Sequence, residues 1–157
     1  MRRREFITLI SGAAAAWPFA ARAQQERIRR IGLLMGHVDG DPEGQARLTA
    51  FLQELQKLGW AANGNVQIDI RWAGANAADA RRHVAELIAL APDVILTGGS
   101  SNVAPLLQAT RTVPIVFAFA ADPVGAGFVA SLAKPGGNAT GFIQFEYGLS
   151  AKWLELL

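Results

Sequence analysis

Short apolar runs alternate with amphipathic stretches from residue 28 onward, and this alternation restricts the fold more than any other feature of the chain. Residues 28–35 are a mostly apolar run closed by Gly36, as expected for a strand buried on both faces. From Pro42 and Glu43 onward, Leu48, Phe51, Leu52, Leu55 and Leu58 keep helical spacing, and Gly59 closes the helix. Val66, Ile68 and Ile70 then alternate with Gln67, Asp69 and Arg71 after an Asn63-Gly64-Asn65 turn, which predicts a half-covered outer strand. Asn76, followed by Asp79, offers an N-cap to a second helix with Ala80, Val84, Leu87, Ile88 and Ala91 on its apolar stripe and Pro92 as its stop.

The same rhythm continues. Residues 93–97 form a strand that turns at Gly98-Gly99 into a helix over 100–108, with Ser101 or Asn102 as cap. Residues 114–120 read as a buried strand, 128–134 as a short helix stopped by Pro135-Gly136-Gly137, 140–145 as a fifth strand and 149–157 as a last helix. Strand and helix in this order predict an α/β fold, a doubly wound parallel sheet with right-handed crossovers. At 157 residues and 51% hydrophobic composition the chain is long enough to bury one core.

The first 23 residues stand apart. Three arginines open the chain, an apolar run over 6–16 follows, Trp17-Pro18 breaks it, and Ala21-Arg22-Ala23 has the A-x-A form of a cleavage site before Gln24. An 11-residue run spans only about 16 Å as helix, short of the ~30 Å hydrocarbon core, so a cleavable export signal is expected rather than a membrane anchor. Arg3-Arg4-Glu5-Phe6-Ile7 resembles the twin-arginine signal. The chain has no cysteine, which excludes disulfides, a thiolate nucleophile and the lipid-bearing cysteine of a lipoprotein. Four of the 15 basic side chains but one of the 13 acidic ones fall in this segment, so residues 24–157 are net −1 despite a whole-chain charge of +2. Only Arg27, Arg29 and Arg30 cluster there, and no nucleic-acid partner is expected.

Ligands of open α/β sheets sit beyond the carboxyl ends of the strands, which selects the loops at 36–41, 98–102, 121–125 and 144–147. His37, Asp39 and Asp41 lie on the first, but their spacing is a weak metal signal, and a solvated loop is the expectation. Gly98-Gly99-Ser100-Ser101 places backbone N–H groups and two hydroxyls at a helix start, a cradle for a carboxylate and equally an ordinary capped turn. Asp122, stiffened by Pro123, is placed to meet an ammonium group or else to form an Asp-Pro turn. Gly125-Ala126-Gly127-Phe128-Val129-Ala130 matches G-x-G-x-x-A, with Glu146 beyond it, but it follows the fourth strand instead of the first. An exported Rossmann-like oxidoreductase using that segment is the alternative reading. No catalytic set, metal site or cofactor is expected. His83, beside Arg81 and Arg82, reads as solvated surface, and of Trp60, Trp72 and Trp153 the first two read chiefly as packing.

Met1-Arg2-Arg3-Arg4-Glu5-Phe6-Ile7-Thr8, Ala20-Ala21-Arg22-Ala23-Gln24-Gln25, Ile31-Gly32-Leu33-Leu34, Gly64-Asn65-Val66 with Arg71-Trp72-Ala73, Pro114-Ile115-Val116-Phe117 with Asp122-Pro123-Val124, and the run from Ser131 to Gly141 occur together in this chain. In combination they resemble the ABC transporter substrate-binding proteins of the tryptophan/tyrosine-transport-like family. Thr97-Gly98-Gly99-Ser100-Ser101 stands where that family often has Thr-Gly before a Thr or Ser. The resemblance implies a periplasmic-binding-protein type I fold and a two-lobed receptor that clamps a small solute, such as an amino acid. It also implies a periplasmic location and an ABC permease of the inner membrane as partner. Members are about twice as long, and Leu154-Glu155-Leu156-Leu157 stops in mid-helix, so residues 24–157 are expected to form a single Rossmann-like N-terminal lobe, cut before the second. A non-functional gene fragment is the bland alternative. Within such a receptor Gly99, Ser100 and Ser101 would hold the solute's carboxylate and Asp122 its ammonium group.

Overall fold

The computed structural model describes residues 28–74 and 76–143. Its elements are β1 (Arg29–Met35), α1 (Pro42–Lys57), β2 (Val66–Trp72), α2 (Ala77–Ala89), β3 (Val94–Gly98), α3 (Ser100–Ala109), β4 (Ile115–Ala120) and β5 (Ala139–Ile143). All pairings are parallel, in the order β2-β1-β3-β4-β5, so the half-polar β2 lies on an edge as its alternation predicts. This is the flavodoxin-like order, in which the chain reverses its direction of winding between β1 and β3.

Two registers define the two faces of the sheet. Leu34, Thr97, Phe117 and Gly141 pair across β1, β3, β4 and β5, and the core lies on their side. Leu34, Val84, Leu87, Ile95, Val103, Leu106, Ile115 and Phe117 are fully or almost fully buried there, so α2 and α3 cover this face. A Cβ on Gly32 would stand 3.4 Å from Leu87, which places α2 directly over β1. The other row is Ile70, Leu33, Leu96, Val116 and Thr140, with α1 above its first three positions. Helices on both faces make the sheet doubly wound.

α1 sits loosely on its face. Gly44 is its only buried residue, and Leu58, the last position of its apolar stripe, is 75% exposed. The helix is held mainly at its start. Asp41 is the N-cap, its Oδ1 accepting the Gly44 N–H at 2.9 Å, Pro42 occupies the first turn, and Glu43 complements the helix dipole. Because no buried apolar seam backs it up, Asp41→Ala should cost about 1 kcal/mol of stability, read as an earlier onset of thermal unfolding.

The segment at 121–138 is not helical, contrary to the short helix expected over 128–134. Phe128 and Val129 donate to the carbonyl of Pro123, Ala130 donates to Pro135, and Ser131 Oγ accepts from Lys134 N. These turns meet the backbone's needs without a helix, and Gly127 at φ 71° would interrupt one. Val129 still reaches the core, at 5% exposure, so its apolar character reports burial and not helical periodicity. His83 is another departure, with its side chain 15% exposed and Nδ1 3.4 Å from Glu86 Oε2. Arg71 Nε donates to the same oxygen at 2.6 Å. These two bonds, that from Arg71 first, hold the Glu86 carboxyl below the usual carboxylate range and tie the edge strand to α2. The fifth strand is described as far as Ile143; the expected helix at 149–157, Glu146 and Trp153 lie outside the described residues.

Candidate functional site

The reversal between β1 and β3 opens a crevice because the connections leaving these two adjacent strands run to opposite faces. A cavity of about 390 Å³ occupies it. Leu33, Met35 and Leu96 form its sheet-side lining, and Arg47, Leu48 and Phe51 of α1 form one wall. Gly36 and His37 after β1, Gly98, Gly99 and Ser101 after β3, and Ala118 and Phe119 of β4 surround its mouth. Leu48 and Phe51 belong to the stripe that helical spacing assigns to the core; the loose seating of α1 leaves them facing this space.

The β3–α3 turn carries most of the polar groups. Gly99 is the N-cap of α3, at φ 82° and ψ 148°, a conformation that an L side chain rarely adopts. The expected caps, Ser101 and Asn102, lie inside the helix instead, and no side chain bonds to its first turn among the described residues. Ser101 is exposed on the cavity wall. Ser100 is engaged elsewhere, its Oγ accepting Ala121 N–H at 2.8 Å and donating to Ala121 O at 3.4 Å, so it clamps the ends of β3 and β4 together. Asn102 is fully buried and Nδ2 donates to Gly98 O at 3.2 Å, which locks the turn. Its Oδ1 has no partner among the described residues.

The four residues expected at the site therefore divide. Gly99 and Ser101 line the cavity, and Ser100 braces its rim from behind. Asp122 is exposed just past β4, at φ 38°, with Oδ1 accepting Gly125 N–H at 2.8 Å. It is not part of the cavity lining, and it reaches the site only through Ala121, which Ser100 holds. The G-x-G-x-x-A segment follows in the same loop, a turn that opens no helix and comes after β4, which β3 separates from β1 in the sheet. Of the first loop, His37 lines the cavity, Asp41 caps α1 and Asp39 accepts from Gln45 Nε2 at 3.3 Å. No cluster of three His, Cys, Asp or Glu side chains able to hold a metal occurs among the described residues.

The sequence does not single out Arg47 and Phe119. Pairing of β4 with β5 shifts register between Phe117 and Ala120, and within that irregularity Phe119 has φ 59° and stays 44% exposed. Such a bulge re-aims a side chain. Here the ring of Phe119 lies 4.3 Å beneath the Arg47 guanidinium, at the edge of the cavity. A continuous apolar strand run carries no mark of where its pleat is broken, so only the coordinates locate this pair.

Comparison with known proteins agrees with this architecture. The sequence model for ABC transporter substrate binding protein matches residues 38–150. A tyrosine-binding protein of Clostridioides difficile (strain R20291) is 30% identical over 107 residues, 68% of this chain and 30% of that protein. A conserved domain protein of Vibrio cholerae O1 biovar El Tor superposes with a TM-score of 0.71 at 28% identity, covering 82% of this chain and 43% of that one. An ABC domain from Streptococcus pneumoniae solved in complex with L-Trp superposes at 0.67 with 26% identity, covering 74% and 39%. The chain thus spans less than half the length of each of these relatives.

Proposed function

This chain belongs to the ABC transporter substrate-binding protein family, and on that premise we propose that residues 24–157 form the N-terminal, ligand-binding lobe of an extracytoplasmic receptor for a small amino-acid-like solute. The carrying observation is the cavity at the β1/β3 reversal, walled by Gly99 and Ser101 at the uncapped start of α3. Backbone N–H groups at a helix start favour an anion, and the hydroxyl of Ser101 adds a donor, so the solute's carboxylate is assigned to this turn. Ser100 keeps the turn in register with β4, and Asp122, just past the end of β4, is assigned to the ammonium group. A second lobe closing over this mouth would exclude water and complete the contacts, after which the loaded receptor meets an ABC permease of the inner membrane. Tyrosine and tryptophan, named for the relatives, are the first solutes to try. The test is calorimetric titration of the complete protein with the twenty standard L-amino acids. Saturable binding of at least one supports the reading; binding of none, with NAD binding in its place, would restore the oxidoreductase.

Residues 1–23 are proposed to be a cleavable signal using the twin-arginine route, leaving a periplasmic protein with no lipid anchor. Mass spectrometry of the exported protein should find Gln24 at the N-terminus, and Arg3→Lys with Arg4→Lys should stop export. An intact Met1 on periplasmic protein would contradict cleavage, and undiminished export of the lysine variant would point to the general secretory route.

A further inference from the structure

We infer that Arg47, held over the ring of Phe119, is the residue that selects the solute's side chain, stacking its guanidinium on an electron-rich aromatic ring. The inference rests on the solute-binding reading above and adds to it the residue that discriminates among solutes.

Arg47 is restrained from two directions. On its own helix it forms an ion pair with Glu43 one turn earlier, and across the cleft its guanidinium carbon lies 4.3 Å from the centre of the Phe119 ring. The backbone of Phe119 occupies the left-handed region to put the ring there, a conformation that costs a non-glycine residue free energy and collects at ligand sites. A guanidinium has two flat faces, and a single ring can cover at most one of them. Apart from Thr97, whose hydroxyl donates to Leu34 O, the cavity that Arg47 lines is otherwise apolar on the α1 and sheet sides, through Leu33, Leu48, Phe51 and Leu96. Among the described residues no carboxylate lines the cavity; the Glu43 carboxylate that pairs with Arg47 stands outside it. The group best suited to the remaining face is a π surface, which attracts a cation electrostatically and tolerates apolar neighbours. A carboxylate seated at Gly99 and Ser101 directs the rest of the solute into the cavity that Arg47 lines.

The attraction depends on electron density at the ring face, so it has a signature that shape alone does not produce. In the complete protein, affinity should fall progressively from L-phenylalanine through its mono-, tri- and pentafluorinated derivatives, by about three- to thirty-fold across the series. Arg47→Gln should flatten that dependence, and Arg47→Lys should weaken it by losing the planar face. Glu43→Gln, on the exposed side of α1, should release the guanidinium and flatten the series partway without touching the cavity wall. Circular dichroism melts confirm that each variant folds. An unchanged fluorination slope in Arg47→Gln overturns the inference while leaving the solute-binding reading intact. Selective binding of aliphatic amino acids overturns the inference alone. Binding of no amino acid overturns both.

Discussion

Replacing Gly141 with alanine should destabilise the fold by on the order of 4 kcal/mol or more and lower Tm by roughly 12 °C. A Cβ at this position would stand 2.0 Å from the carbonyl oxygen of Phe117 and 2.6 Å from its ring. Neither can yield easily, because Phe117 is fully buried in the core and pairs directly with Gly141 across β4 and β5. Relief requires the two strands to separate, which exposes the core row ending at Gly141. The entropic benefit of alanine in the unfolded chain, about 0.4 to 1 kcal/mol, is too small to offset this. Gly137 supplies the control. A Cβ there meets nothing within 4 Å, so Gly137→Ala should stay within about 0.5 kcal/mol of the parent. Thermal melts that coincide for the two variants would contradict the packing of β5 described here.

Loss of the polar groups assigned to the solute should have the largest effect on binding. Removing one partner of a desolvated charge pair commonly costs about 2 to 5 kcal/mol, so Asp122→Ala should weaken solute affinity by roughly 30-fold or more. The same variant also deletes the acceptor for Gly125 N–H, and two roles are thereby mixed. Asp122→Asn separates them, because its amide oxygen keeps the turn while the charge is gone. Equal weakening by Ala and Asn assigns the effect to the ammonium contact; wild-type affinity in Asn with loss only in Ala assigns it to the turn. Ser100→Ala with Ser101→Ala should also weaken binding. Ser101 removes a donor from the wall, and Ser100 releases the clamp on Ala121. Calorimetry with the tightest solute from the amino-acid screen reads all three.

Much of the architecture is legible in the chain. The alternation of Val66, Ile68 and Ile70 with polar neighbours marks β2 as an edge, and the continuous apolar runs of β1 and β4 mark interior strands. Family membership follows from combined short segments, and the fold class with it. Other features are hidden for identifiable reasons. Helical spacing in α1 gives the direction of an apolar face but not what lies opposite, so Leu48 and Phe51 read as core although they line a cavity. The apolar residues at 128–132 suggest a helix, whereas side-chain and carbonyl turns satisfy that backbone and leave only Val129 buried. The exposure of Phe119 arises from a register shift between two strands, a property of the pair that neither strand's sequence carries. The tight contact of Gly141 with Phe117 is hidden in the same way, since it depends on how closely β4 and β5 approach.

The central claim is that the solute sits at the β1/β3 reversal, held by the start of α3. A crystal structure of the complete protein with its tightest amino-acid solute tests this most directly. The account predicts the solute's carboxylate within about 2.7 to 3.2 Å of the Ser101 hydroxyl and the first N–H groups of α3, with its side chain in the cavity lined by Arg47, Phe51 and Phe119. A solute found instead beside Trp60, in the cavity of about 360 Å³ between α1 and β2, or in the loop at 121–138, would contradict it.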